Sequence, residues 1–308
     1  LNLALGLVMG CFAGLAMTVV REHTDTLRQP GDAAGLHVPE LGAIPSARLH
    51  RTLNGSGAWP LRLGSRRQPL ELVTWREEQS LLSESFRATL ASILFRLDST
   101  STPSTGGAPH TGHSFVFTSV EPVEGKTTVA TNLAIALAET NKTVLLIDAD
   151  LRRPRIHSIF DLCNDWGLSD LLQGDGPPPC SPIDAIARPT QIPNLWVLPS
   201  GPGAAVISRL LYSPALENLL AQCRSHFDLV LVDSPPLAYY SDARVFGRTS
   251  DGVVLVVRAN KTGRESLRSA CIRLMEDGIP ILGTILNDWS FDSARRRGYS
   301  SYYGYKPV

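Results

Sequence analysis

The run FVFTSVEPVEGKTTVATNLA, residues 115–134, joins an apolar, β-rich stretch to a helix-forming stretch through a single turn. A bound phosphate asks for that geometry, because amide N–H groups of the turn and of the helix N-terminus converge on an anion placed between them. Lys126 supplies a point charge for β- and γ-phosphates, and the Thr127 hydroxyl is suited to Mg²⁺. The pattern G-x-x-x-x-G-K-[ST] opens on glycine, whereas Val120 stands there in this chain. Gly125-Lys126-Thr127 on its own is therefore a weak signal.

Two further strand ends strengthen it. Val144–Ile147 delivers Asp148-Ala-Asp150-Leu-Arg-Arg153-Pro, and Leu229–Val232 delivers Asp233-Ser-Pro-Pro. Ligands of open parallel sheets bind at the carboxyl ends of the strands. If Asp148 and Asp233 merely capped strands or helices, three such ends would have coincided by accident. From Ser114 onward, short apolar runs (FVFTS, TVLLI, LWVLP, DLVLV, GVVLVV, PILGTIL) alternate with helical stretches. The alternation predicts an α/β fold with a mostly parallel sheet flanked by helices. A helix over 214–226 should start with Ser213 as N-cap and Pro214 as its first residue.

Outward from this core the chain divides into residues 1–20, 21–76, 77–294 and 295–308. The first twenty residues carry no charge and, as a helix, would span about 30 Å, the thickness of a bilayer core. Gly6, Gly10 and Gly14 would place a small-residue stripe on one face, which permits close helix packing in lipid. A cleaved signal peptide is the competing reading. The start at Leu1, without Met or a basic leader, favours the end of a transmembrane helix cut from a longer protein. Arg21 and the arginines after it then put the rest of the chain on the cytoplasmic side. Residues 21–76 read as a membrane-proximal linker holding one short apolar piece, Leu41–Ile44. Its Arg48, Arg51, Arg62, Arg66 and Arg67 fit either a solvated linker or attraction to anionic lipid headgroups. Residues 77–96 regain helical spacing, with Leu81, Leu82, Phe86, Leu90, Ile93 and Leu94 on one face. The Ser/Thr/Gly/Pro segment 99–113 ends that helix.

Composition excludes several classes. The 308 residues are 43% hydrophobic with no net charge, which suits one large α/β domain and gives nucleic acid no global attraction. Five scattered cysteines without a CxxC pair indicate neither a zinc site nor a disulfide framework.

On these residues the chain resembles the bacterial tyrosine kinases of exopolysaccharide synthesis and export, polysaccharide co-polymerases whose cytoplasmic domain is a MinD-type P-loop ATPase. VLLIDADLRRPRIH, residues 144–157, is similar to the family's second aspartate motif, and FDLVLVDSPP, residues 227–236, to its Walker B. The resemblance extends from the transmembrane end through the LGAIP connector to the tyrosine-rich tail. It implies ATP and Mg²⁺ as cofactors, with Glu124, Gly125, Lys126, Thr127 and Thr128 around the nucleotide and Thr127, Asp148 and Asp233 around the metal. Lys126, Asp148, Asp150 and Arg153 would serve catalysis, the two aspartates activating a tyrosine hydroxyl. Arg152 or Arg153 would steady the transferring phosphate or dock a phosphate product. Asn287, just beyond a strand end, is a candidate adenine contact.

The tail holds four of the seven tyrosines, Tyr299, Tyr302, Tyr303 and Tyr305, and tails selected only for solubility are poor in aromatics. By the resemblance these are the phosphoacceptors. The implied partners are other copies of the chain, phosphorylated in trans, polysaccharide polymerase and export proteins, a tyrosine phosphatase and the inner membrane, with the kinase domain in the cytoplasm and no nucleic acid. Three departures matter. Val120 and Val123 replace small residues of the phosphate loop, and a valine at 123 is strained if φ there is positive. Leu90 stands where the subunit-contact motif has a second arginine, leaving Glu84 and Arg87 either to pair between subunits or to form an i, i+3 surface pair. The segment from Gly201 lacks the family's Pro-Asn character. Alternatives to the kinase are a MinD-type assembly switch without tyrosine chemistry and a degenerate, non-catalytic assembly module.

Overall fold

A computed structural model describes residues 26–36, 38–47, 69–77, 80–100, 112–173, 187–203 and 210–290, with isolated positions among the first fourteen. Its strands are β1 (Glu40–Pro45), β2 (His113–Ser119), β3 (Val144–Asp148), β4 (Arg188–Pro189), β5 (Leu195–Leu198), β6 (Leu229–Asp233), β7 (Gly252–Arg258) and β8 (Ile281–Trp289). Helices of four residues or more are α1 (Val73–Arg76), α2 (Leu81–Thr100), α3 (Lys126–Ala138), α4 (Ile156–Ile159), α5 (Leu168–Gln173), α6 (Pro214–His226), α7 (Asp242–Arg248) and α8 (Arg264–Glu276).

The eight strands form one sheet in the order β1-β8-β7-β2-β6-β3-β5-β4. Every pairing is parallel except β4 with β5. Residues of one strand alternate between two cores. In β6, Leu229 and Leu231 face α2 and α3, packing with Phe86, Leu90 and Leu133, while Val230 and Val232 face α6, α7 and α8. Helices on both faces leave the central strands no wet side, which is why they read as continuous apolar runs.

All six expected strands are present. The segment Leu41–Ile44, expected inside a linker, instead belongs to β1, an edge strand in register with β8. Residues 70–76 likewise pack against α3. The α2 helix runs to Thr100, past the expected end at 96. Ser213 is the N-cap of α6 and Pro214 its first residue, but the Ser213 hydroxyl donates to Leu210 O at 2.7 Å rather than capping α6. Leu90 is buried on the α2 face toward the sheet, at 4% exposure. Arg87 pairs within the chain with both Glu84, at 2.8 Å, and Glu139, at 3.1 Å. Among the described residues no helix is long and apolar enough to cross a membrane.

Candidate active site

Parallel register builds the site. Asp233 at the end of β6 lies directly opposite both Phe117 of β2 and Asp148 of β3, so the loop leaving β2 and the two aspartates meet at the same sheet edge. Residues 120–125 turn there into α3, whose first residue is Lys126. A cleft of about 670 Å³ opens above them, bordered by Lys126, Thr127, Asp150, Arg153, Arg258 and Asn287 among others.

Lys126 Nζ lies 2.9 Å from Asp150 Oδ2 and 3.4 Å from Asp233 Oδ1. Burial works against its charge, but Asp233 and Asp150 outweigh that and raise its pKa; the lysine is a fixed cation. Thr127 Oγ1 donates to Asp233 Oδ2 at 2.6 Å. Asp148 is fully buried. Its Oδ2 accepts the amides of Arg155 at 3.0 Å and Ile156 at 2.9 Å, while Oδ1 has no hydrogen-bond partner. Burial first, then the nearby Asp233 charge, pushes its pKa up to about 7. Three carboxyl groups thus gather around one lysine on the floor of a cleft whose rim carries Arg152, Arg153 and Arg258. Such a site suits a cation bridging to phosphate, and an orphaned buried oxygen is an acceptor in want of a donor or metal. Among the described residues no group of three or more His, Cys, Asp or Glu makes a self-contained metal site. Thr127 and Asp233 therefore fit Mg²⁺ as part of a nucleotide complex, with phosphate oxygens supplying the rest, the usual manner for that ion.

The phosphate loop is strained where its sequence lacks glycine. Val123 has φ +63° and is 73% exposed. For a β-branched residue that conformation costs on the order of 1–3 kcal/mol. Val120 is buried in the core under the loop. Glu124 turns its carboxylate into the loop, accepting the Glu121 amide at 2.8 Å and the Thr262 hydroxyl; burial pushes its pKa up to about 7. Asn287 Nδ2 donates to Glu124 O at 2.9 Å. A Cβ on Gly125, whose φ is +92°, would lie 2.1 Å from that nitrogen, so only glycine fits.

Around the mouth, Arg152 reaches the buried Asp242 at 3.3 Å and lies under the Tyr240 ring, 4.0 Å from its centroid. Arg153 is exposed on the rim, its amide tied to Asp150 Oδ1. Arg155 and the Thr128 hydroxyl both contact Glu71. Sequence reasoning passed over Arg258, Lys261, Tyr240 and Asp242. Arg258 ends the apolar run of β7 at the carboxyl edge, the same signal that marked the aspartates. Tyr299, Tyr302, Tyr303 and Tyr305, the linker arginines at 48, 51, 62, 66 and 67, and most of the apolar segment 1–20 lie outside the described residues.

A parallel sheet with a phosphate loop after β2 and carboxylates at the ends of β3 and β6 defines a P-loop nucleotide-binding protein. Residues 123–271 match a family model described as an AAA domain. The chain is 31% identical over 226 residues to the putative tyrosine-protein kinase CapB of Staphylococcus aureus, covering 73% of this chain and 92% of that one. It is 33% identical over 236 residues to the tyrosine-protein kinase YwqD of Bacillus subtilis, covering 77% and 93%. The solved kinase domain of the Escherichia coli tyrosine kinase ETK superposes with a TM-score of 0.71 at 26% identity, over 91% of this chain and 99% of that one. The chain thus belongs to the bacterial tyrosine-protein kinase family.

Proposed function

We propose that the chain moves the γ-phosphate of ATP onto Tyr299, Tyr302, Tyr303 and Tyr305 of its own kind, and that this phosphorylation regulates polymerisation and export of a surface polysaccharide. Phosphoryl transfer asks a protein mainly for positioning and charge neutralisation. Lys126, kept protonated by Asp150 and Asp233, orients the β- and γ-phosphates as it exchanges those carboxylates for phosphate oxygens. Thr127 and Asp233 would hold Mg²⁺, which when bound neutralises phosphate charge. Asp148, whose pKa lies near neutrality, can hold a proton at one pH and accept one at another. Asp150, which borders the cleft, would receive the tyrosine proton, which a phenol of pKa about 10 does not readily give up to water, with the buried Asp148 acting from behind it. Arg153 at the rim would steady the transferring group, with Arg152 behind it.

The observation that carries this reading is the meeting of Lys126, Asp150, Asp233 and an Asp148 oxygen without a partner at one strand edge, in a chain of the tyrosine-kinase family. Other copies of the chain, polysaccharide polymerase and export proteins and a tyrosine phosphatase are the proposed partners, at the cytoplasmic face of the inner membrane. Only 25% of the length of the tyrosine-protein kinase wzc of Salmonella typhimurium is matched, which fits a kinase module that can be one part of a longer chain. The test is incubation of residues 21–308 with Mg-ATP, followed by intact mass and peptide mapping. Phosphotyrosine should appear in the unsubstituted chain and be absent with Lys126→Met; none in either would sink the proposal.

A further inference from the structure

We propose that Arg258 and Lys261 are positioning residues that hold the phosphate loop in the turn through which it receives nucleotide. Three successive loop carbonyls each accept a hydrogen bond from the carboxyl ends of β7 and β8 or the turn after β7. Lys261 Nζ donates to Pro122 O, Arg258 Nη1 to Val123 O at 3.1 Å and Asn287 Nδ2 to Glu124 O at 2.9 Å. In a planar trans peptide the N–H points opposite to its C=O. Holding the carbonyls of 122, 123 and 124 toward Lys261, Arg258 and Asn287 therefore turns the amides of Val123, Glu124 and Gly125 away from those donors, and these three residues border the cleft. Convergent amides of this kind make an anion site.

The clamp is itself braced. Asp288 Oδ2 accepts Arg258 Nε at 3.0 Å and Nη2 at 2.6 Å, which fixes the guanidinium. Thr262, one residue beyond Lys261, accepts the Arg258 amide at 2.8 Å and gives its own hydroxyl to Glu124. The need for a clamp is local to this sequence. Glycine enters the positive-φ region about as readily as the negative, whereas valine at φ +63° leaves it unless held. Apparent affinity falls with the fraction of molecules in the competent loop conformation, so the clamp sets how tightly the strained loop binds.

This inference rests on the nucleotide-site reading, and the experiment separates the two. In the 308-residue chain, dissociation constants for a fluorescent ATP analogue are measured for Arg258→Ala and Lys261→Met, each with Val123 and with Val123→Gly. Loss of either donor should raise Kd by about tenfold or more beside Val123 and by less than about threefold beside glycine, where little strain is left to restrain. In nucleotide-free protein, hydrogen exchange at the amides of 123–125 should quicken in Arg258→Ala. Equal factors in both backgrounds, wild-type Kd in both single variants, or unchanged exchange would overturn the proposal. Lys261→Met removes an exposed amine and guards against loss of fold, since its thermal transition should match wild type. If Lys126→Met loses binding while the clamp variants keep it, only the positioning role falls; if the unsubstituted chain binds no analogue, the nucleotide reading falls with it.

Discussion

Buried, and with the Asp233 charge nearby, Asp148 is costly to ionise in the nucleotide-free protein: its pKa rises to about 7 although the two amides on Oδ2 pull the other way. A carboxyl raised in the folded state contributes stability that is fully present below its unfolded pKa and is lost as pH rises through its folded pKa. The window here runs from about 4 to about 7. Asp148→Asn removes that ionisation, so the variant should gain on wild type by on the order of 2 kcal/mol between about pH 5 and about pH 8. Urea unfolding at the two pH values checks this; a constant difference would contradict it. The same variant, and Asp233→Asn, should each lower phosphoryl transfer by at least about 10²-fold, since each removes charge from a site that works by electrostatic positioning. Rate against Mg²⁺ concentration is the companion measurement, and an unaltered Mg²⁺ dependence in Asp233→Asn would remove its metal role. Asp148, Asp150 and Asp233 were legible in the sequence because they end apolar runs, and Lys126 and Thr127 because Gly125-Lys126-Thr127 stands where a strand turns into a helix. Arg258 also ends an apolar run, but what it and Lys261 do was not legible, because their partners lie 135 and 139 residues away and come within reach through the β7–β2 pairing.

At the scale of elements, six strands were readable because burial on both faces makes each a short apolar run with turn residues at its ends. Two were not. β4 has only two residues, one a proline, and exists as the antiparallel edge partner of β5. β1 is a six-residue segment with glycine and proline in it, and it becomes a strand because β8 offers an open edge and α2 covers it. The fit is close enough that a Cβ at Gly42 would lie 2.0 Å from Thr89 Oγ1. The spacing of α2 puts Leu90 on its apolar face, and the structure agrees. Its place in the contact motif suggests a surface position, yet it is packed in the core with Phe86 and Ile93. Leu90→Ala should therefore destabilise the chain by about 2–4 kcal/mol, read as a lowered denaturant midpoint at unchanged slope. A shift near zero would mean that Leu90 faces a partner subunit instead of the core.

For the whole molecule, one sheet edge gathers the phosphate loop, the carboxylates and the clamp, while the proposed substrate lies at the far C-terminal end of the same chain. Arg87 is already engaged by Glu84 and Glu139, so it offers a neighbouring subunit little free charge. Residues 21–308 should accordingly be mostly monomeric or weakly associated at micromolar concentration by light scattering, and a stable ring would refute this. Up to four phosphates, at roughly −1.5 to −2 charges each, would turn the arginine-rich tail strongly acidic. The central claim, that this tail is the substrate, is tested most directly by comparing the chain with one ending at Gly298 after incubation with Mg-ATP, mapping phosphotyrosine in both. The shortened chain should bind ATP with near-normal affinity and lose most of its phosphotyrosine. Undiminished labelling, mapped to Tyr212, Tyr239 or Tyr240, would contradict it.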